Sequence, residues 1–241
     1  MSRRTRRWRV GALLCAVLIG LSVDIGAAAS LTLTSQALTP YRTCTLTATP
    51  LTTPIVADAS VQQATPAGNF GALTSMNVAS GTGVNRRMYV RFDLTQCSPA
   101  VPPTAVVRLG TLRLFSTALP AACRTIDIFR VTAAWAETTL TWNNQPFGTA
   151  INNPATATRI GSFDVGTPAG CGNATNNMYI SGATLTADVA AFVAGSATNF
   201  GWMLRDDAEN AATTRTWTAS TKELGILSQA PQLIVTYVTL P

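Results

Sequence analysis

From Ala57 onward, apolar and polar residues alternate in short runs broken by turn residues. In MYVRFDL, Val90, Phe92 and Leu94 fall on one side, and Tyr89, Arg91 and Asp93 on the other. Successive side chains of a strand point to opposite faces, so this is the period of a β-strand. TLRLFS repeats it, with Leu112 and Leu114 opposed to Arg113. TIDIFRV, LTW, IGSFDV, MYISGATL, FGWMLRD, TRTWTAS and PQLIVTYV give further strands, and SPAVPP interrupts the pattern. Helical spacing is confined to TADVAAFVAG, Thr186 to Gly195. Many short strands, frequent turns and one short helix predict an all-β sandwich in one domain, residues 57–241.

The chain upstream of this pattern reads differently. MSRRTRRWR carries five arginines, and the uncharged run VGALLCAVLIGLSV follows from Val10 to Val23. Ala27, Ala28 and Ala29 then offer small residues for cleavage before Ser30. Residues 1–29 therefore read as a secretory signal, with an apolar run too short for a comfortable membrane span. The expectation is a secreted protein with no stable membrane span after cleavage. Residues 30–56 are rich in threonine and punctuated by Pro40, Pro50 and Pro54. They predict a linker or an extra edge strand, pinned to the domain by Cys44.

Charge changes little once the signal is set aside. The formal net charge of +6 loses five arginines and one aspartate, leaving 12 basic and 10 acidic residues. A near-neutral mature chain gives nucleic-acid binding no support. Cys44, Cys97, Cys123 and Cys171 remain, and an even count in an exported chain predicts two disulfides. Three pairings are possible and the sequence does not choose between them. The pairing Cys44–Cys97 with Cys123–Cys171 is favoured because each bond would tie a loop to its neighbour. A cysteine metal site is disfavoured by the long spacings and the absence of histidine.

The missing histidine also removes the Ser-His-Asp and Cys-His arrangements from the catalytic possibilities. Asp206, Asp207 and Glu209 form the one dense acidic cluster, expected to be a solvated turn or calcium ligands. The chain is therefore read as a non-enzyme, with calcium possible but unsupported. Recognition of a polysaccharide needs flat aromatic faces for pyranose rings and donors for hydroxyls or carboxylates. The arginine fork suits a uronate carboxylate. On the alternation, Tyr89, Arg91, Arg113 and Arg205 point away from the apolar faces, and Arg215 shares a face with Trp217. These six are the candidate ligand-binding residues, with Trp217 expected to be the best exposed aromatic because threonines surround it. The pair Arg86-Arg87, in a Gly- and Asn-rich stretch, is expected to be solvated or to line the rim of a groove. In ETTLTWNNQP, Leu140 and Trp142 share a face, which makes Trp142 a core residue. Asn143, Asn144 and Pro146 then mark the turn that ends the strand.

Several motifs in order carry a resemblance: ADASVQQATPAGNFG, RRMYVRFDL, LGTLRLF, IFRVTAAWAETTLTWNNQP, LTADVAAFVAG, TNFGWMLRDD and PQLIVTY. Together they resemble the DNRLRE domains, grouped as carbohydrate-binding module family 96, over roughly Ala57 to Val238. The resemblance implies a jelly-roll-like antiparallel β-sandwich, secreted or surface-displayed. It further implies binding to polysaccharide, with acidic polymers such as alginate as a target class. The chain departs from the family in reading Ser220-Thr221-Lys222-Glu223 where Ser-Arg-Glu is usual, and Phe192 where tryptophan is usual. The alternative reading is a disulfide-stapled structural module of the cell envelope or extracellular matrix with no small ligand.

Overall fold

The computed structural model describes residues 40–48, 55–169, 171 and 176–239. The stretch read as a secretory signal, residues 1–29, and most of residues 30–56 lie outside the described residues. The strands in chain order are β1 (Arg42–Thr47), β2 (Val56–Gln62), β3 (Ser75–Ser80), β4 (Arg86–Phe92), β5 (Val106–Ala118), β6 (Arg124–Arg130), β7 (Gly161–Val165) and β8 (Asn176–Ser181). The helix α1 (Ala183–Val193) follows, then β9 (Trp202–Asp206), β10 (Arg215–Ser220) and β11 (Gln232–Val238). Neighbouring strands pair antiparallel. No helix among the described residues is long and apolar enough to cross a membrane.

The strands form two layers of a β-sandwich. One layer runs β2-β4-β9-β6-β7. In the other, the long strand β5 pairs with β8 along one side and with β11 and then β10 along the other. Beyond these lie β1, paired with β11, and β3, paired with β10. A single pair, Ala79 with Arg86, links the layers at the β3–β4 turn.

Alternation decides the inner core. Met88, Val90 and Phe92 of β4, Ile126 and Ile128 of β6, and Trp202 and Leu204 of β9 face Leu112, Leu114, Trp217, Leu233 and Val235 of the other layer. Leu185, Val189 and Phe192 of α1 close one end of this core. A Cβ at Gly110 would lie 2.8 Å from Val189 Cγ2, so the bare backbone of β5 lets the helix dock.

A second core forms on the outside of the β2-β4-β9-β6-β7 layer. Residues 131–160, between β6 and β7, lie over this face. Val131, Trp135, Leu140 and Trp142 pack there on Ala57, Ala59, Val61, Tyr89, Phe129 and Met203. Fully burying a large apolar side chain contributes about 1.5–3 kcal/mol, which makes this cover part of the fold rather than a loose loop. LTW is a turn segment within the cover and not a strand. Trp142 is buried in the second core. The cover is fastened by Asn69 Nδ2, which donates to the carbonyls of Glu137 and Leu140, and by Trp135 Nε1, which donates to Phe200 O at 2.8 Å.

The cysteines pair as Cys44–Cys97 and Cys123–Cys171. The first bond ties β1 to the turn after β4. The stretch 30–56 thus supplies an edge strand over Arg42–Thr47.

Candidate functional site

The segment 197–200, which leads from α1 into β9, stands between two arginines at the ends of neighbouring strands. Gly201 makes the approach possible. It adopts a left-handed backbone (φ +74°), and a Cβ there would lie 2.1 Å from Val90 O and 2.7 Å from Arg91 Cα. Its carbonyl accepts from Val131 N at 2.9 Å. One residue on, Trp202 pairs with both Val90 and Arg130. This register brings Arg91 of β4 and Arg130 of β6 to the two sides of β9.

Two depressions adjoin this segment, and a third shares Arg130 and Thr132 with one of them. The largest, about 530 Å³, is lined by Phe129, Arg130, Phe147, Thr158, Thr184 and Asp188 among others. A depression of about 150 Å³ continues from Arg130 and Thr132 to Ala197, Thr198 and Phe200. Another, about 400 Å³, lies between Arg91, Asp93, Leu94, Thr95, Phe192 and Asn199. Small clefts lined by apolar rings and a few polar groups are the usual form of a ligand site.

The two guanidinium groups differ in how much they are committed. Arg91 is half-buried and stacks over the Trp135 ring at 5.5 Å. Its one protein hydrogen bond among the described residues is a long one, 3.5 Å to Trp135 O. Arg130 donates through Nη1 to Asp188 Oδ1 at 3.1 Å, with 40% of its side chain exposed. Trp202 Nε1 donates to the other oxygen of Asp188 at 3.1 Å. Burial raises the Asp188 carboxyl above its ordinary range, outweighing the opposite pull of Trp202 and Arg130. Asp93 is held below the ordinary range because bonds from Thr95 and Gln96, and the charge of Arg91, outweigh its slight burial.

The model of carbohydrate-binding module family 96 matches residues 49–237, from before β2 into β11. The chain belongs to this family. No curated protein matches it significantly. The matched span includes the whole of the α1 end and leaves β1 outside.

In this family 96 module, the sequence-predicted site residues do not converge. Of the six, Arg91 alone lines the depressions. Tyr89 is fully buried beneath the cover, edge-on to Trp135, with its hydroxyl bonded to Gln145 Oε1 at 3.0 Å. Burial pushes its phenol far up. Arg205 is buried over the Phe129 ring and holds the cover through Nη2 bonds to Pro154 O (3.0 Å) and Thr156 Oγ1 (3.3 Å). Arg113 is buried in the other layer and donates to Ala230 O at 2.6 Å. Arg215 is half-buried on β10. Trp217 is 1% exposed, inside the main core, donating to Ser116 Oγ with Phe163 edge-on at 5.4 Å. The expected outward display is therefore corrected for Tyr89, Arg113, Arg205 and Trp217. Both faces of one layer are covered, and Trp217 lies on the inward face of the other.

Two expectations about charge are also corrected. Arg87 is not solvated. It is fully buried, 4.7 Å over the Trp142 ring, bonded to both oxygens of Glu209 (2.8 and 2.9 Å) and to Gly148 O and Ala150 O. The cluster Asp206, Asp207 and Glu209 is not a solvated turn. Asp206 and Asp207 grip Arg124, and Glu209 holds Arg87.

A different acidic group has the compactness of a metal site. Ligand atoms of Asp58, Glu137 and Glu223 lie within 4.8 Å of one another. The ammonium of Lys222 contacts Glu137 and Glu223 and sits 3.6 Å from Asp58 Oδ1, so the cluster already holds a cation of its own. Burial raises the Asp58 and Glu137 carboxyls despite that ammonium, while the three carboxylates outweigh burial and raise Lys222. Arg130, Phe147, Asp188 and Asn199 were not among the sequence candidates. Arg130 ends the alternating run IFRV on its apolar phase, and a charge at the last apolar position of a strand is the available signal.

Proposed function

We propose that this module is secreted, does no chemistry, and binds an acidic polysaccharide at the α1 end of the sandwich. Arg91 and Arg130 meet uronate carboxylates, and the depressions beside Phe147 and Phe192 take the sugar rings. The observation that carries this reading is Arg91. Its guanidinium is stacked on an indole, is half-buried, and has no carboxylate at salt-bridge distance among the described residues, although it acts at longer range on Asp93 across the same depression. A charged donor left so free suits an anion that comes from outside. Membership of a carbohydrate-binding family supports the ligand class, and two disulfides suit an exported chain.

Affinity electrophoresis in alginate, polygalacturonate and a neutral glucan tests it. Retardation is expected in the two polyuronates at low salt, falling as salt is raised. The double variant Arg91→Ala/Arg130→Ala should lose roughly tenfold or more, since a hydrogen bond to a charged group is worth about 1.5–3 kcal/mol. Migration unaffected by any glycan at low salt would overturn the reading. It would favour instead a disulfide-stapled structural module, the alternative that the two bonds support.

A further inference from the structure

The two layers differ in their acidic residues. Strands β1, β3, β5, β8, β10 and β11 contain Arg42, Arg108, Arg113 and Arg215 and no aspartate or glutamate. The strands of the opposite layer carry four aspartates, Asp58, Asp127, Asp164 and Asp206, three of them buried, among six arginines, so the two layers are both net positive and differ in the presence of acid rather than in sign. An acid-free layer presents no like charge to an approaching polyanion and draws it in over a Debye length.

The layers also differ in cover. The cover of residues 131–160 lies on the acid-bearing layer, and α1 docks on the inner side of β5. On the outer side of β1, β11 and β5, register aligns Thr43, Thr236 and Leu109 in one row and Thr45, Ile234 and Thr111 in the next. Thr43 and Thr45 are exposed, Leu109 is 43% exposed, and Thr236, Ile234 and Thr111 are half-buried. At the end of these rows Tyr41 is 70% exposed, and Arg108 is exposed at the bulge where β5 skips one residue against β11, while Arg42 shares the inward phase of Cys44 and Leu46 and is exposed at the end of the edge strand. Among the described residues neither arginine has a carboxylate at salt-bridge distance. Arg113 on the same face is already bonded to Ala230 O and takes no part. Arg42, Thr43 and Thr45 belong to the strand that precedes the family match and that Cys44–Cys97 fixes in place, and Tyr41 lies just ahead of it.

We infer that this face is a second binding surface for an acidic polysaccharide, so that one domain holds two chain segments at once. Its ligand class rests on the reading given above, while its location does not. The Tyr41 ring offers a flat face to a pyranose. Arg108 supplies a forked donor to carboxylates, and Arg42 a second from the open end of the edge strand. The threonine rows, about 4.8 Å apart from strand to strand, offer hydroxyls along the chain. Because the two surfaces lie on different layers, a long polymer engages both and is cross-linked, with avidity that neither surface has alone.

Titration calorimetry with an alginate hexasaccharide at low salt tests this on three proteins: the unaltered chain, Tyr41→Ala/Arg42→Ala/Arg108→Ala, and Arg91→Ala/Arg130→Ala. The expected stoichiometry is two for the unaltered chain and one for each variant. Turbidity of long alginate should appear with the unaltered chain alone. The three side chains replaced there are exposed, so the melting temperature of that variant should match the unaltered chain. A stoichiometry and affinity unchanged by the outer substitutions overturns the second surface and leaves the α1 site standing. If the outer variant loses all binding and the Arg91/Arg130 variant loses none, the outer surface stands and the α1 site falls. No binding by the unaltered chain overturns both. Equal binding of a single-stranded oligonucleotide at the same salt overturns the glycan assignment.

Discussion

Removing the ammonium of Lys222 should be among the most damaging single changes to this module. Its Nζ touches Glu137 and Glu223 and lies 3.6 Å from Asp58, and all four side chains are mostly buried. The cluster joins β2, the cover and the turn after β10. Lys222→Met keeps the apolar stem and leaves three carboxylates facing one another. Breaking a buried ion pair by removing one partner costs about 3–5 kcal/mol. A domain of this size moves by ~2–4 °C per kcal/mol, so the melting temperature should fall by roughly 6–20 °C at pH 7. The pH dependence has a definite sign. Asp58 and Glu137 titrate above their ordinary values of 3.8 and 4.5, so their protonated forms favour the fold. That contribution is greatest in acid and shrinks as pH rises from about 4 through the raised values. Lys222, raised above 10.5, contributes below that pH and loses its contribution in strong alkali. The deficit of Lys222→Met should therefore be smaller at pH 5 than at pH 7.5, because protonation relieves the uncompensated carboxylates. Lys222→Arg is the companion. Asp58 Oδ1 and Glu223 Oε2 are buried without hydrogen-bond partners, and the five donors of arginine can reach more oxygens than the three of lysine. It should melt at or above the unaltered chain. Thermal melts with disulfides intact, at both pH values, check all three statements. A Lys222→Met protein that melts within 2 °C of the unaltered chain at pH 7.5, or a deficit that grows in acid, would refute the reasoning.

Arg87→Met should cost about 3–5 kcal/mol by leaving Glu209 buried and uncompensated, and adding Glu209→Gln should restore part of it. Urea melts of the two single variants and the double variant measure this coupling, and strict additivity would contradict it. Gly201→Ala meets Val90 O at 2.1 Å in a left-handed backbone. It should lower the melting temperature by several degrees and weaken glycan retardation together, as seen by melts and affinity electrophoresis on the same sample. Trp217→Ala should cost about 3–5 kcal/mol and remove a near-ultraviolet circular dichroism signal without first abolishing glycan binding in the protein that remains folded. Loss of binding with full stability would return Trp217 to the ligand site.

The sandwich was legible because two-residue alternation survives in nearly every strand. The site was less legible because alternation separates two faces without saying what lies on each. Tyr89 and Arg91 are two residues apart on one face of β4. One is sealed beneath the cover and the other reaches the rim. The difference is made by residues 131–160, a turn-rich stretch with no period from which packing could be read. Trp217 misled for another reason. Thr216 and Thr218 flank it in sequence but point to the opposite face, whereas Ala219, two residues on and on its own face, is buried. Arg87 reads as a loop residue in a Gly- and Asn-rich context, but its partner Glu209 is 122 residues away and has no local signature.

The bond between Cys44 and Cys97 also has a mechanical meaning. A pull on the chain ahead of Tyr41 can strip Arg42 and Thr43 from β11 and then meets a covalent link to the turn after β4. The load passes through that link to β4, next to the edge of the acid-bearing layer, and the unzipping of β1 stops after two residues. A module tethered from that side and holding a polymer under flow would thus resist peeling at the edge where an unlinked sheet is weakest.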